Sequence, residues 1–221
     1  MPSGPDLPLL ILITDWELPR GRLMASLESV LALGPDVAVQ HRHPGATDRA
    51  FFEEGEQLAR LCLRFGNGLF VNGRLDVALL LGAHLHLPSR GIEVADVRPH
   101  LPTGRWISAA VHDADEAQEA AGADIALVSP VFSPGSKATR ARAPLGPEGF
   151  ARLAERLGGP AFALGGVDPS NANQIRGASG FAAISAVLRA AQPRLAAQEL
   201  LAAARRSRSS RRRDDFQSGI G

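Results

Sequence analysis

The feature that most restricts the fold of this chain is a repeated alternation of short apolar segments and longer amphipathic ones. The first apolar segment, residues 9–14, is a continuous run, which is typical of a strand covered on both faces of a sheet. Helical spacing of apolar residues follows at 23–33 and stops at Gly34-Pro35. The pattern recurs along the chain and predicts eight strands, at residues 9–14, 37–42, 69–72, 85–87, 106–111, 125–131, 161–164 and 181–187.

Each predicted strand is followed by a segment with helical character. An open flavodoxin-like sheet needs only five strands, whereas eight strand–helix units fit a single-domain (β/α)8 TIM barrel. The length of 221 residues and the hydrophobic content of 45% suit one such barrel. The predicted helices cover residues 23–33, 48–65, 76–81, 94–100, 114–121, 147–157, 169–177 and 193–206.

The end of the chain differs in composition from the rest. Residues 205–213 contain six arginines, and Asp214 and Asp215 follow them. We therefore divide the chain into a barrel at residues 1–204 and a basic, disordered tail at residues 205–221. Such a tail can contact nucleic acid or an acidic surface, although it is more often a solvated end, so we do not expect nucleic acid as a partner.

The cysteine content and the apolar runs restrict the compartment. Cys62 is the only cysteine, which excludes an internal disulfide and favours a reducing compartment. No apolar run reaches the roughly 18 residues of a membrane span, and the N-terminus lacks the order of a secretory signal. The sequence predicts a cytoplasmic protein that has no membrane partner.

Small and polar residues follow the predicted strands six and seven and lie near the end of strand eight, in the part of a barrel that binds ligands. Lys137 is the only lysine, in a chain with 24 lysines and arginines in total. Its ammonium is a compact point charge suited to phosphate, although a solvated loop lysine is the alternative. In such barrels a phosphate commonly lies over the loops after strands seven and eight, where glycines let backbone N–H groups approach. We predict a phosphate site formed by Ser136, Lys137, Gly165, Gly166, Ile184 and Ser185.

Strands two, three and five offer further polar candidates. Gln40 and Arg42 are two residues apart and share one face of their strand, so they would meet a polar or anionic ligand if that face is the lumen. An arginine that caps the barrel rim is the alternative. Asn72, at the end of strand three, is a third lumen candidate. His112 follows strand five and is either a general acid or base or a hydrogen-bonded rim histidine.

Two pairs of histidines have the spacing of neighbouring metal ligands on a strand. His41 and His43 form one pair, and His84 and His86 form the other. Either pair could present two imidazoles to a metal ion. The first pair, however, lies on the strand face opposite Gln40 and Arg42, so these histidines and that polar pair cannot both face the lumen. We therefore predict no metal site.

Together the segments resemble the family of the thiamine phosphate synthases and the related thiazole tautomerases. The resemblance covers roughly residues 9–193, and the order and spacing of the segments make it specific. Its segments are residues 39–42 (VQHR), 70–78 (FVNGRLDVA), 122–124 (GAD), 129–132 (SPVF) with Ser136-Lys137, 163–167 (ALGGV) and 183–187 (AISAV).

The resemblance implies a (β/α)8 barrel and, for the synthases, a substitution reaction. A pyrimidine pyrophosphate loses its pyrophosphate, and the nitrogen of a thiazole phosphate captures the resulting carbocation-like centre. The family pattern places Gln40, Arg42, Asn72 and Lys137 on the pyrimidine and pyrophosphate side. It places Ser136, Gly166 and Ser185 on the thiazole phosphate side.

The chain departs from the synthase pattern at several positions. Pro44 stands where the synthases have a lysine, Gly73 where an acidic metal ligand follows the asparagine, and Ala110 where a serine is usual. Residues 86–91 (HLPSRG) also lack the second acidic ligand. A hard cation such as Mg²⁺ would find few oxygen ligands here, so no cofactor is required on sequence grounds, although Mg²⁺ is the cation that the resemblance implies.

The sequence after strand four is closer to the tautomerase branch. His86-Leu87-Pro88 resembles that branch, but its proton-transfer histidine falls on Pro130 in this chain. Both catalytic sets are thus incomplete.

We expect a family enzyme that binds a thiazole phosphate or a similar small phosphate ester, with weak or altered catalysis by His112 and Lys137. The alternative is a non-catalytic phosphate-binding or regulatory protein whose basic tail binds a partner. A homo-oligomer is compatible with both hypotheses.

Overall fold

Eight parallel strands pair in sequence order and close into a barrel, so the predicted (β/α)8 fold is confirmed. The structure, a computed structural model, describes residues 7–133 and 142–218, with side chains described as far as residue 209. The strands are β1 Leu10–Ile13, β2 Val37–His41, β3 Gly68–Asn72, β4 His84–Leu87, β5 Ile107–Val111, β6 Ile125–Val128, β7 Ala161–Ala163 and β8 Gly180–Ala183.

The helices surround the barrel. Among those described in residues 7–133 and 142–218, none is long and apolar enough to cross a membrane. The predicted extent of the second helix is confirmed, because Thr47 caps its start and Gly66, with φ 71°, ends it. The helices are α1 Arg20–Leu31, α2 Asp48–Phe65, α3 Leu75–Leu81, α4 Val94–Val97, α5 Ala114–Glu119, α6 Gly146–Leu157, α7 Ser185–Leu188 and α8 Pro193–Ser218.

The alternation of side chains along each strand divides the core into two parts. Alternate residues point into the lumen, and the others pack against the surrounding helices. Phe70 and Phe162 are the largest members of the lumen cluster, and both are fully buried. The remaining buried members of this cluster are Ile11, Ile13, Ala38, Ile125, Leu127 and Ala182.

Several elements in the C-terminal half differ from the sequence prediction, and the sixth strand, for example, ends at Val128 rather than at residue 131. No α-helix forms at residues 169–177, where the structure has only a 3₁₀ turn, Ala172–Gln174. The carboxylate of Asp168 accepts hydrogen bonds from the backbone N–H and hydroxyl of Ser170, and this local turn competes with a helix. The eighth strand ends at Ala183 rather than at residue 187, because α7 begins at Ser185.

The closing helix extends beyond the predicted start of the basic tail. α8 runs from Pro193 to Ser218 and passes residue 204 without a break. Arg205 forms an ion pair with Asp36, with 2.7 Å between Nη2 and Oδ2. Ser207 is 8% exposed. Residues 205–207 therefore belong to the helix that packs on the barrel.

Candidate functional site

Polar side chains from β2, β3, β4 and β5 meet inside the lumen. Asn72 on β3 pairs in register with His86 on β4, and His86 pairs with Ser108 on β5. Gln40 on β2 lies two residues beyond Ala38 of the lumen cluster and so shares its face. The structure thus brings two of the predicted residues, Gln40 and Asn72, to the lumen.

Gln40 has an unmet hydrogen-bonding group in this interior. The residue is 1% exposed, and its Nε2 amide has no hydrogen-bond partner within the described residues. An unpaired buried donor costs about 1–3 kcal/mol, so native proteins usually satisfy it with a protein, water or ligand acceptor. The amide of Gln40 is therefore suited to donate to a bound ligand.

Arg42 stands at the rim, directly after β2. Its backbone is fixed by Thr14, whose hydroxyl accepts from the Arg42 N–H at 2.9 Å and donates to the Arg42 carbonyl at 3.1 Å. The residue itself is exposed. Its charge acts on the buried His86, whose pKa it helps to lower. Arg42 therefore places a positive charge at the mouth of the lumen, above the polar cluster.

His86 lies in the lumen, although its sequence pattern indicated only a metal-ligand pair and a resemblance to the tautomerase branch, and no place in the ligand site. Its Nδ1 lies 2.9 Å from the hydroxyl of Ser108. Burial, with a smaller contribution from the charge of Arg42, lowers its pKa to about 3, so the ring is neutral near pH 7. The signal that identifies it is the alternation around Leu85, which packs against the helices and so places His86 in the lumen with its register partner Asn72.

The other histidines of the two predicted pairs have structural partners. The ring of His84 stacks on Trp106 with 4.3 Å between centroids, and its Nδ1 accepts from the Trp106 N–H at 3.0 Å. His41 faces α2, where its Nε2 lies 2.9 Å from the carbonyl oxygen of Phe51. His43 contacts the carboxylate of Glu54, also on α2. The first pair therefore lies outside the lumen, as its sequence register predicts.

The described residues do not offer the carboxylates that a Mg²⁺ ion prefers. No group of three or more His, Cys, Asp or Glu within 7–133 and 142–209 could hold a metal ion. Gly73, where the resemblance implies an acidic ligand, donates its N–H to the carbonyl of His86 at 2.8 Å. The nearby carboxylate of Asp76 is bound by Arg74. We therefore assign no step to a metal ion held by this chain.

The hydroxyl that the synthase pattern places on β5 occupies another position here. The residue at 110 is alanine, and the lumen hydroxyl belongs to Ser108, two residues earlier on the same face. Because Ser108 is 1% exposed and bonded to His86, it orients that ring.

Gly165 and Gly166 form the turn after β7, and both need to be glycine. Their φ angles are 87° and 64°, in the left-handed region. A Cβ on Gly165 would lie 2.7 Å from Cα of Pro130, and one on Gly166 would lie 2.7 Å from the carbonyl oxygen of Ser133. The glycines thus let the loop after β6 close onto the end of β7, where Phe132 donates to the Gly165 carbonyl at 2.9 Å.

The neighbouring end of β8 brings Ile184 and Ser185 to the same edge. Ala163 pairs with Phe181, so the turns after β7 and β8 are adjacent. Ile184 packs against the lumen cluster, and Ser185 is exposed as the first residue of α7. Within the described part of the chain, the amide groups of Gly165 and Gly166 have no backbone acceptor. The last two members of the predicted phosphate site, Ser136 and Lys137, lie outside the described residues.

His112 lies at the carboxyl end of β5 and is 19% exposed at its side chain. Its Nδ1 lies 2.5 Å from Oε2 of Glu116, and the same oxygen accepts the backbone N–H of His112 at 2.9 Å. The other carboxylate oxygen of Glu116 accepts from Arg142 at 2.8 Å. His112 is therefore hydrogen-bonded at the rim through one ring nitrogen, while Nε2 has no partner among the described residues.

Comparisons with known proteins show which family the chain resembles. The family model described as thiamine monophosphate synthase matches residues 10–187. The chain is 34% identical over 198 residues to a thiamine-phosphate synthase of Chloroflexus aurantiacus, covering 87% of this chain and 91% of the relative. It is 35% identical over 206 residues to one of Chlorobium luteolum, covering 90% and 94%.

A solved structure extends the likeness to three dimensions. The thiamine phosphate pyrophosphorylase of Pyrococcus furiosus is 30% identical and superimposes with a TM-score of 0.77, covering 90% of this chain and 96% of that one. A 3-hexulose-6-phosphate synthase, 18% identical with a TM-score of 0.63, covers 88% and 98% and shares the fold alone. The match over most of the barrel shows that the chain belongs to the thiamine monophosphate synthase family.

Proposed function

We propose that this protein acts in thiamine biosynthesis as a thiamine-phosphate synthase-type barrel that binds a thiazole phosphate or a similar small phosphate ester. Its relatives are named thiamine-phosphate synthases, and family membership covers the residues that form the site. The observation that carries the proposal within this chain is the buried, unpartnered amide of Gln40 in a polar lumen. Such a donor indicates a ligand that reaches into the barrel.

The lumen is suited to a neutral heterocycle. Gln40 supplies a free N–H donor, and Asn72 supplies an amide that can both donate and accept. His86, neutral and oriented by Ser108, adds an aromatic face and a ring nitrogen. These groups can hydrogen-bond to ring nitrogens and amino substituents of a ligand, and none of them carries a charge.

The phosphate ester lies at the edge formed by the turns after β7 and β8. The close approach that Gly165 and Gly166 permit leaves backbone N–H groups for an anion, and the exposed Ser185 adds a hydroxyl. Lys137, in the part of the chain outside the described residues, is the cation that the resemblance assigns to the pyrophosphate. Arg42 supplies a second positive charge at the mouth.

Catalysis of the synthase reaction is weaker in this chain than in relatives with the full pattern. The C–O bond to the leaving pyrophosphate breaks with both electrons on oxygen, and the thiazole nitrogen forms the new C–N bond. Pro44 and Gly73 supply neither the lysine nor the carboxylate that the resemblance assigns to the pyrophosphate and its metal ion. Removing one electrostatic contact to a developing charge typically costs about 2.7–4 kcal/mol, or a factor of about 10²–10³ in kcat.

Binding can be tested by thermal unfolding with thiazole carboxylate phosphate and with thiamine phosphate. A ligand at about 100 times its Kd stabilises the folded state by about 2.7 kcal/mol, and each kcal/mol raises Tm by about 2–4 °C for a chain of this size. The shift should fall in Gln40→Ala and Arg42→Ala. It should persist in Arg49→Ala, whose side chain is 88% exposed on α2.

The result decides between the enzyme and a non-catalytic alternative. Absence of a shift in the wild-type protein, or an equal shift in the Gln40 and Arg49 variants, contradicts the proposed ligand site. Turnover is then measured with a pyrimidine pyrophosphate and the thiazole phosphate, with and without Mg²⁺. Binding without turnover under either condition would identify a phosphate-ligand binding protein instead.

A further inference from the structure

A network of three charged or titratable side chains lies at the carboxyl end of β5. It consists of His112, Glu116 on α5 and Arg142, which precedes α6. We propose that Glu116 is a positioning residue that holds the ring of His112 as its Nδ1–H tautomer, leaving Nε2 as a hydrogen-bond acceptor for the bound ligand. The inference rests on the proposed function, because it names a ligand contact at the same site.

The tautomer follows from the chemistry of the contact. An ionised carboxylate can only accept hydrogen bonds, so the nitrogen facing it has to donate. Nδ1 of His112 lies 2.5 Å from Oε2 of Glu116, which assigns the ring proton to Nδ1. In the neutral ring Nε2 then carries the lone pair, and it has no partner among the described residues. It is the atom that remains free to accept a hydrogen bond from a ligand.

Glu116 is itself held from two further directions. Its backbone N–H donates to Oδ1 of Asp113 at 3.0 Å, which fixes the first turn of α5. Arg142 donates to Oε1 of Glu116 at 2.8 Å and to Oδ2 of Asp113 at 3.1 Å. The guanidinium compensates the charge of a carboxylate that is 11% exposed at its side chain. The carboxylate therefore has little freedom to leave the ring.

A purely structural explanation of Glu116 exists and makes different predictions. Asp113 and Glu116 have the spacing of a capping box, in which the glutamate reaches back to a backbone N–H before the helix. The bond from the His112 N–H to Oε2, at 2.9 Å, fits that role. Capping does not require the second bond from the imidazole ring. Measuring the tautomer of the His112 ring therefore distinguishes a positioning role of Glu116 from a purely helix-capping role.

The tautomer can be read from ¹⁵N NMR of the full-length protein labelled at histidine. The spectrum is recorded at a pH where the rings are neutral, and the His112 signals are assigned with His112→Gln. The wild-type ring should show a protonated Nδ1 and an unprotonated Nε2. Glu116→Ala should move the ring proton to Nε2, whereas Glu116→Gln, whose amide oxygen still accepts, should retain the wild-type tautomer.

Asp113→Ala is the matched control for capping. It removes the N-cap of α5 but leaves the carboxylate of Glu116 beside the ring. The wild-type tautomer should persist in this variant. A protonated Nε2 in the wild type, or equal changes in Asp113→Ala and Glu116→Ala, would overturn the proposal.

Turnover supplies the second readout. The net worth of one hydrogen bond corresponds to a factor of about 2–13 in affinity, so Glu116→Ala should raise KM for the thiazole phosphate by about that factor with little change in kcat, and Glu116→Gln by less. An unchanged KM in Glu116→Ala would overturn the ligand contact even if the tautomer moves. If the wild type turns over none of the family substrates, the proposed function fails, while the NMR result still decides whether Glu116 positions His112.

Discussion

Gly73 and Gly166 provide a matched pair in which backbone strain and steric overlap can be separated. Their φ angles are 68° and 64°, so an alanine at either position meets nearly the same left-handed strain. Their surroundings differ. A Cβ on Gly73 would lie 3.6 Å from Cγ of Pro88, an ordinary contact, whereas one on Gly166 would lie 2.7 Å from the Ser133 carbonyl oxygen and 2.8 Å from C of Phe132.

The expected costs follow from these two terms. Left-handed strain amounts to about 1–2 kcal/mol for a residue with a Cβ, and it applies to both variants. The gain from a stiffer unfolded chain also applies to both and cancels in the comparison. Overpacking costs about 1–3 kcal/mol more and applies only to Gly166→Ala, because the atoms it meets belong to the backbone and cannot rotate away.

Chemical denaturation of both variants measures the difference. Gly166→Ala should lose about 1–3 kcal/mol more unfolding free energy than Gly73→Ala, and the extra loss should lower its Tm by a further few degrees. Equal losses in the two variants would refute the overlap. They would show that the loop after β6 moves away from β7 at little cost.

Three further predictions address the metal ion, the buried histidines and the closing helix. Gly73→Asp places a carboxylate beside Asn72, in a left-handed backbone conformation that aspartate tolerates, and should make turnover more dependent on Mg²⁺. Gly73→Asn introduces the same backbone strain without the charge and should leave the dependence on Mg²⁺ unchanged. Burial lowers the pKa of His86 to about 3 and that of His84 to about 4, whereas the ordinary pKa of a histidine is 6.5. Below pH 6.5 the unfolded chain therefore binds more protons at these two residues than the folded protein does. The unfolding free energy should therefore fall as the pH drops from about 6.5 toward 4, by up to about 1.4 kcal/mol per pH unit for each histidine. His84→Gln should reduce this dependence of unfolding free energy on pH, whereas His100→Gln, at an exposed position, should leave it unchanged. Truncation after Ala204 removes the Arg205–Asp36 ion pair and the buried Ser207, and it should lower the Tm measured by circular dichroism. Truncation after Ser209 keeps both contacts and is the control. Equal Tm values in the two truncated proteins would contradict a packing role for residues 205–209.

The sequence predicts the barrel well because its signals are local. The apolar runs of β1 and β2 and the caps of α2 each follow from residues close together in the chain. Strand alternation also places Gln40 correctly in the lumen and His41 outside it. The predicted helix at 169–177 is wrong because the side chain of Asp168 bonds to the following backbone, which periodicity does not reveal.

The site is harder to predict because its contacts join distant segments. The link between His112 and Arg142 through Glu116 spans 26 residues from Glu116 to Arg142, and no spacing rule connects them. The role of His86 depends on its register with Asn72 and Ser108 on neighbouring strands, which only strand pairing defines. The pair Gly165-Gly166 is visible in the sequence, but the backbone atoms that would meet each added Cβ are not.

The low pKa values of the two lumen histidines have a consequence for the heat of ligand binding. Neither His84 nor His86 gains or loses a proton near pH 7, since burial keeps both rings neutral well below that pH. A heterocycle that enters the lumen should therefore exchange no protons with these rings. Calorimetric enthalpies measured in buffers of different ionisation heat would then report proton uptake only from the phosphate ester and from groups at the rim.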